Sequence, residues 1–399
     1  MARTIEVELD HWVPPVPANN DYPDKFNLSC IKSIEELKSV FASYKNADGS
    51  YPIMGFDTET TGLNPETDSI VGYSFSFNEK DAYYVPTAHL NFGLGNAALD
   101  ILYEVMKKCQ LVLIYNLRFD MRMMEWNHFE DAPEEVRREF IEHNRPCFSK
   151  YDMSKVKMYD VQVLVWSTYT NHYMPKLKWA ELQFLGWRSN TFSETQGSAS
   201  NFAYLDPTDP DTYKYAATDA LALVMLYNKL KWMRDEGKIS VQMHASGKMV
   251  PLTRFEQTPL YADLDLLRKQ SKFFKERLDD IEQECYRIVG YKFNISSGPE
   301  KAKAFKSKNI IISETTESGK MATSSWALEK AMQKYDENSE QYKLMAMTIE
   351  YQHLRKMVST YVDSLLEQAE ANELNPGLFR YSYRNTATTS GRYSGGTWG

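Results

Sequence analysis

The stretch IMGFDTETTGL, residues 53–63, decides how the chain is interpreted. Its first four residues form a short apolar run, which predicts a buried strand, and Asp57 and Glu59 follow directly where that strand ends. Side chains two positions apart on a strand point to the same face of a sheet. The sequence therefore predicts two carboxylates that emerge together at the edge of a β-sheet. Taken alone, such a pair is also compatible with an ordinary strand end that carries solvated acids.

Strand and helix patterns follow one another on both sides of this stretch. Residue patterns predict strands at SIVGYSFSF, DAYYVPTAHL and LVLIYN, and helices at ALDILYEVMKKC, LRFDMRMMEW, VQVLVWSTY, KLKWAELQFLG and PDTYKYAATDALALVMLYNKLKWMRDEG. Residues 130–158 are charged and interrupted by proline, which indicates an insertion. The order of the elements predicts the α/β class, more closely an α+β fold in which helices cover a mixed sheet.

The composition limits the classes of protein to which the chain can belong. The chain has 399 residues, of which 43% are hydrophobic and 25% are charged, and these values are ordinary for a soluble protein of two or three domains. No apolar run is long enough for a membrane helix, and the N-terminus shows no signal peptide. Four scattered cysteines without a CxxC pair argue against a zinc site or a disulfide framework and predict a cytoplasmic location. The net charge of −8 does not by itself indicate nucleic acid.

Three further candidate residues lie downstream. Asp120 stands in NLRFD, at the opening turn of a helix that follows the strand LVLIY. Tyr215 and Asp219 stand in YAATD, and their i,i+4 spacing places a phenol and a carboxylate on one face of a helix. Each residue alone has an ordinary explanation, such as an acid that interacts with a helix dipole. Four acids and a tyrosine in this order instead indicate a site that cleaves phosphodiesters.

Phosphodiester hydrolysis requires residues of this kind because its transition state is anionic. Two divalent cations about 3.5–4 Å apart stabilise the attacking and leaving oxygens. Hard cations prefer carboxylate oxygens and water to thiols. The sequence therefore predicts a site for two divalent metal ions, Mg²⁺ or Mn²⁺, held by Asp57, Glu59, Asp120 and Asp219.

The segments DTETTGL, NLRFD and YAATD resemble the three exonuclease motifs of the DEDD superfamily, in the subclass with tyrosine in the third motif. This resemblance implies a ribonuclease H-like fold and 3'→5' exonuclease activity. It implies that Asp57 bridges both metals and that Asp120 acts on the second metal, largely through water. Glu59 and Asp219 would complete the site that holds the nucleophilic water, and Tyr215 would orient that water.

Residues from about 250 to the end resemble the family A DNA polymerases, the bacterial DNA polymerase I class. FNISSGPEKAKAF, ESGKMATSSWALEK and YQHLRKMVSTYVDSLL are similar to segments of those enzymes in the same order, and TATTSGRYSGG is similar to the element that opens their palm. A helical interaction domain that contains such strings is the open alternative. The domain prediction is an N-terminal arm at 1–30, an exonuclease domain at 31–240, a mostly helical thumb region at 241–375 and the beginning of a palm at 376–399.

Both resemblances imply that DNA is the partner. Leu63 would wedge against the terminal base, Asn116 would help to hold the 3'-terminal nucleotide, and Arg392 would reach the minor groove near the primer end. Basic side chains on thumb helices would neutralise duplex phosphates without reading sequence. The candidates for this role are Lys301, Lys303, Lys306, Lys308 and Lys356.

The family's palm aspartate motifs and its fingers segment do not occur in the sequence. We therefore expect a proofreading exonuclease that releases dNMP, does not polymerise DNA alone and works with a palm and fingers polypeptide in phage-type replication. Two alternatives stay open: a free-standing exonuclease on single-stranded DNA or RNA, and a non-catalytic subunit of a polymerase assembly.

Overall fold

The structure is a computed structural model that describes residues 25–397 except 66, 127–150, 169–173, 188, 198, 233–248, 317, 372–375, 385 and 389–391. The described residues form two compact units. The first contains the chain up to Pro259 and the chain from Arg380, and the second contains Leu260–Phe379. Most of the predicted arm at 1–30 and of the predicted insertion at 130–158 lies outside the described residues. The functional domain boundaries stay a prediction.

A mixed sheet forms the centre of the first unit. Among the described residues its six strands are β1 Asn27–Cys30, β2 Met54–Thr60, β3 Ile70–Ser76, β4 Asp81–Pro86, β5 Val112–Ile114 and β6 Met158–Asp160. They lie in the order β1-β4-β3-β2-β5-β6 across the sheet. Strands β2, β3 and β4 form an antiparallel meander, β5 and β6 continue it parallel to β2, and β1 lies parallel to β4. The predicted α/β class with a mixed sheet flanked by helices is confirmed, whereas β1 and β6 were not predicted.

Helices cover both faces of this sheet. The first three pack on one face with Met54 and Phe56, and the long helix Pro210–Leu230 packs on the other face with Val71 and Leu113. The helices within the described residues of this unit are α1 Ile34–Tyr44, α2 Asn96–Met106, α3 Leu117–Trp126, α4 Val161–Thr168, α5 Leu177–Ala180, α6 Phe192–Gln196, α7 Pro210–Leu230 and α8 Met249–Gln257. Helix α5 continues into a π-helical turn at Glu181–Leu185. Helix α1 was not predicted.

The second unit is mainly helical, as predicted for this part of the chain. Its core joins Ile281 and Cys285 of the longest helix to Leu328 and Leu344 of two later helices. Two short strands, β7 Leu260–Tyr261 and β8 Leu378–Phe379, pair where the unit begins and ends. The helices are α9 Leu264–Val289, α10 Gly298–Ser307, α11 Ser325–Met332, α12 Glu340–Lys356 and α13 Asp363–Glu370, the last two joined by a π-helical segment at Met357–Val362.

The chain from Arg380 onward belongs to the first unit and is strand-like, as its sequence predicts. Strands β9 Tyr381–Arg384 and β10 Ser394–Thr397 pair in antiparallel fashion. The buried guanidinium of Arg118 connects β9 to α8, because it donates hydrogen bonds to the carboxylate of Glu256 and to the carbonyl of Tyr383. No helix in the described part of the chain is long and apolar enough to cross a membrane.

Gly55 lets α7 lie directly against the central strand. A Cβ atom at Gly55 would come within 2.2 Å of the Ala220 carbonyl oxygen of α7, much closer than atoms tolerate. Alternation along β2 places Asp57 and Glu59 on the same face as Gly55. The missing side chain therefore fixes the distance between the two elements that carry the acidic residues.

We expect Gly55→Ala to lower the free energy of unfolding of the first unit by about 1–3 kcal/mol, because α7 must move away from β2 to relieve the overpacking. Chemical denaturation followed by circular dichroism measures this change. Gly395→Ala is the matched control, because a Cβ at Gly395 has no atom within 4 Å. Equal stabilities of both variants would contradict the proposed close packing.

Candidate active site at the end of the central strand

Three carboxylates converge where β2 meets α7. Asp57, Glu59 and Asp219 each offer an oxygen that lies within 4.8 Å of the other two. Asp57 and Glu59 come from one face of β2, and Asp219 comes from the middle of α7, next to Ala220. The convergence follows from strand alternation together with the close approach at Gly55. These residues were predicted to lie together, and the structure brings them together.

Asp120 lies beside this group and is held by β2 itself. Its Oδ1 accepts hydrogen bonds from the backbone N–H of Thr58 at 3.0 Å and from the Thr58 hydroxyl at 2.7 Å. Burial is the main cause that raises the pKa of Asp57 and Glu59, and the charge of the buried Asp120 carboxylate raises both further. Asp120 therefore belongs to the same electrostatic site, although it is not one of the three residues whose oxygens group within 4.8 Å.

A buried acid that the sequence analysis missed supports the turn before Asp120. The carboxylate of Asp160, at the end of β6, accepts the backbone N–H groups of Asn116 and Leu117 at 3.2 Å each. Asn116 has a positive φ of 60°, a left-handed conformation that asparagine tolerates better than most residues. Asp160 thus fixes the backbone between β5 and α3, from which Asp120 projects. The strand that Asp160 ends has three residues and is too short to show a strand pattern, so sequence reasoning had no signal for this role.

Tyr215 occupies the turn of α7 that precedes Asp219. Its ring is half-buried and packs near Phe192 and Phe202, with ring centroids 6.5 Å and 5.9 Å away. Partial burial and the neighbouring acids raise the pKa of Tyr215 far above its usual value. The phenol therefore stays protonated at neutral pH and keeps its hydroxyl proton for hydrogen bonding.

A lysine missed by the sequence analysis pairs with the acidic group. Lys178, in α5, forms an ion pair with Asp219 and lies 3.5 Å from the buried carboxylate of Glu181. Its ammonium is also 4.8 Å from the ring centroid of Tyr215. The pattern gave no signal for this role, because Lys178 and Asp219 are 41 positions apart in the chain.

The chemistry of the donor set fits divalent cations. Burial and mutual repulsion raise the pKa of Asp57 and Glu59 well above the usual range, although Lys178 opposes the effect. Burial also raises the pKa of Asp120 to about 7. An added positive charge would relieve this repulsion, and carboxylate oxygens are ligands that Mg²⁺ and Mn²⁺ prefer. The carboxylates predicted to bind metal ions therefore have suitable chemistry, with Asp120 at the margin of the group, and their role as metal ligands stays a prediction.

The structure places the predicted DNA-binding residues in different environments. Leu63, four residues after Glu59 in the sequence, is 65% exposed, and Arg392 is also exposed. Lys301 is instead buried, at 6% exposure, and burial lowers its pKa, so this position does not present its ammonium to solvent. Lys308 pairs with Glu340 at 3.2 Å. The exposed lysines of the predicted set are Lys303, Lys306 and Lys356.

Comparison with known proteins adds an independent observation. Residues 28–234 match the family described as "3'-5' exonuclease" of the family A DNA polymerases, and this range contains every residue of the acidic group. The chain belongs to this family. Residues 264–396 match a second description, "DNA polymerase family A". The predicted kinship with family A DNA polymerases is therefore confirmed for both parts of the chain.

Curated relatives of this family A chain are bacterial DNA polymerases. It is 26% identical to DNA polymerase I of Pseudomonas aeruginosa over 358 residues, which are 86% of this chain and 35% of that protein. It is 22% identical to DNA polymerase I of Treponema pallidum over 362 residues, again 86% of this chain and 35% of that protein. The chain thus spans about a third of the length of these relatives.

A solved structure shares the fold. The "POL domain of Pol1 from M. smegmatis complex with DNA primer-template and dNTP" superposes with a TM-score of 0.64 at 13% sequence identity. The match covers 92% of this chain and 54% of that one. At this identity the likeness supports the fold alone, which agrees with the mixed sheet and the helical second unit.

We expect the metal-free protein to lose stability as the pH rises from about 4 to about 7. Burial raises the pKa of Asp120 from 3.8 to about 7, so the folded state holds this proton more tightly than the unfolded state across that window. Burial raises the pKa values of Asp160 and Glu181 in the same direction. Denaturant titrations in EDTA at several pH values measure how the free energy of unfolding changes with pH.

Asp120→Asn is the control for this pH dependence, because the amide keeps the shape of the carboxylate but cannot ionise. Its stability should fall less with pH than that of the unmodified chain, by an amount on the order of a few kcal/mol at pH 8. Identical slopes for both proteins would show that Asp120 does not carry a raised pKa.

Proposed function

We propose that this chain removes nucleotides from the 3' end of a DNA strand by hydrolysis assisted by two divalent metal ions, and that it releases dNMP as the proofreading part of a family A DNA polymerase. The convergence of Asp57, Glu59 and Asp219 at the meeting point of β2 and α7 is the observation that carries the proposal. The match of residues 28–234 to the 3'-5' exonuclease family supports the same reaction.

The four acids would divide the metal ions between them. Asp57, Glu59 and Asp219 would hold the first ion, because their oxygens already group together. Asp120, with Asp57, would serve the second. When bound, such ions lower the pKa of water and neutralise charge that develops on phosphate oxygens. The chain itself supplies the fixed oxygen donors, held by the sheet and by the hydrogen bonds from Thr58 to Asp120.

Tyr215 would orient the attacking water. The residue lies one helical turn before Asp219, and its hydroxyl remains protonated because burial and nearby acids raise its pKa. A neutral phenol both donates and accepts a hydrogen bond, so it can direct a lone pair of water at the phosphorus without competing for a metal ion. The packing of its ring near Phe202 limits where this hydroxyl can be placed.

The nucleic acid would be held by side chains outside the acidic group. Leu63 and Asn116 are the proposed contacts for the terminal nucleotide, and the exposed Lys303, Lys306 and Lys356 are proposed contacts for duplex phosphates. The separate polypeptide with palm and fingers, and the phage-type setting, stay predictions. The family A match at residues 264–396 supports DNA rather than RNA as the substrate class.

The decisive test uses a 5'-labelled DNA oligonucleotide with Mg²⁺ and follows shortening from the 3' end on a denaturing gel. We expect Asp57→Ala to lower the rate by about 10³-fold or more, because the residue shared by both proposed metal positions is lost. DNA binding, measured by fluorescence anisotropy in Ca²⁺, should persist. Glu35→Ala is the matched control, because Glu35 is an exposed acid on α1.

Three outcomes of this assay would overturn parts of the proposal. Undiminished cleavage by Asp57→Ala would show that the site is misassigned. No 3' shortening by the unmodified chain would favour a non-catalytic assembly subunit. Equal rates on RNA and DNA, with no preference for a mismatched primer end over a matched one, would favour a free-standing single-strand exonuclease.

A further inference from the structure

Lys178 connects to the acidic group through Asp219. Its ammonium forms an ion pair with the carboxylate, and the lysine side chain is only 21% exposed while that of Asp219 is 9% exposed. Such a pair lies where the dielectric is low, so its attraction is stronger than that of a surface pair. The ammonium also lies 4.8 Å from the ring centroid of Tyr215. Lys178 therefore interacts with two of the residues to which the proposed reaction assigns a role.

A second carboxylate is within reach of the same ammonium. Glu181, three residues later on the same helical segment, has no side-chain exposure and lies 3.5 Å from the Lys178 nitrogen. Its other oxygen accepts hydrogen bonds from the hydroxyl of Ser189 and from the Ser189 backbone N–H, the latter at 3.3 Å. Glu181 is thus fixed in place, and the lysine head group lies between a fixed acid and a proposed metal ligand.

These two positions create a conflict with metal binding. A cation held by Asp57, Glu59 and Asp219 would lie only a few ångströms from an ammonium that pairs with Asp219. Like charges at such a separation repel strongly when they are partly buried. The ammonium already lies 3.5 Å from Glu181, so the flexible stem of the lysine needs only a small movement to shorten that contact.

We propose that Lys178 is an internal counter-ion that pairs with Asp219 when the site holds no metal and moves to Glu181 when a divalent cation binds. The inference rests on the proposed function only in that it takes the three carboxylates as the metal site. Lys178 then stabilises the metal-free fold by neutralising part of the acidic group. It also competes with the first metal ion for Asp219, so that a higher metal concentration is needed to fill the site.

The test measures the affinity of the full chain for Mn²⁺ alone, with free Mn²⁺ quantified by electron paramagnetic resonance. Lys178→Met should bind the first Mn²⁺ about tenfold or more tightly than the unmodified chain, because no ammonium competes for Asp219. Lys176→Met is the matched control and should leave the affinity unchanged, because Lys176 is an exposed lysine two residues away. Lys178→Gln serves as a second uncharged variant should the methionine variant fail to fold.

Glu181→Gln tests the proposed second position of the ammonium. This variant should bind Mn²⁺ several-fold more weakly, because Lys178 loses the partner to which it moves. In the double variant Lys178→Met/Glu181→Gln that weakening should largely disappear, since no ammonium remains to be accommodated. Weakening of the same size with and without Lys178 would show that Glu181 acts on the metal independently and would overturn the exchange.

The failure of this inference is distinguishable from failure of the proposed function. Asp57→Asn should lower the Mn²⁺ affinity by at least about tenfold, whatever Lys178 does. If Asp57→Asn binds Mn²⁺ normally, the metal site itself is misassigned. If Asp57→Asn loses Mn²⁺ while both uncharged Lys178 variants bind it unchanged or more weakly, the site stands and the counter-ion role of Lys178 is wrong.

Discussion

The contact between a glycine of the central strand and the backbone of α7 determines the rest of the site. Without a side chain at Gly55, the carbonyl of Ala220 rests against β2, and the neighbouring Asp219 reaches the acids of the strand. Packed interiors resist small displacements, so this contact sets the spacing of the carboxylates more firmly than their own interactions could. Repulsion among the acids would otherwise separate them.

The acidic group is therefore an arrangement that the fold imposes against electrostatic cost. Burial raises the pKa values of Asp57, Glu59 and Asp120, which means that ionised carboxylates here are disfavoured in the folded chain without a counter-charge. Hydrogen bonds from Thr58 offset part of this cost at Asp120, and the ammonium of Lys178 offsets part of it at Asp219. The same imbalance would favour a cation beside the proposed metal ligands.

Local periodicity carried much of the information in the sequence. Strand alternation predicted that Asp57 and Glu59 share a face, and the i,i+4 spacing of Tyr215 and Asp219 followed from the helix they occupy. Sequence reasoning missed the residues whose roles depend on tertiary contacts. Asp160 ends a strand of three residues, too short to produce a pattern. The pairings of Lys178 and the burial of Lys301 likewise depend on segments that only the fold brings near, and a charged side chain alone suggests exposure.

The π-helical turn at Glu181–Leu185 has a consequence for how this corner could diverge among related sequences. Such a turn contains one residue more than an α-helical turn. Loss of a single residue there would leave an α-helical turn and shorten the chain between Glu181 and Ser189 by one residue, which would disturb the hydrogen bonds that Ser189 donates to Glu181. A change in length of one residue would therefore alter the surroundings of the acids without replacing any of their side chains.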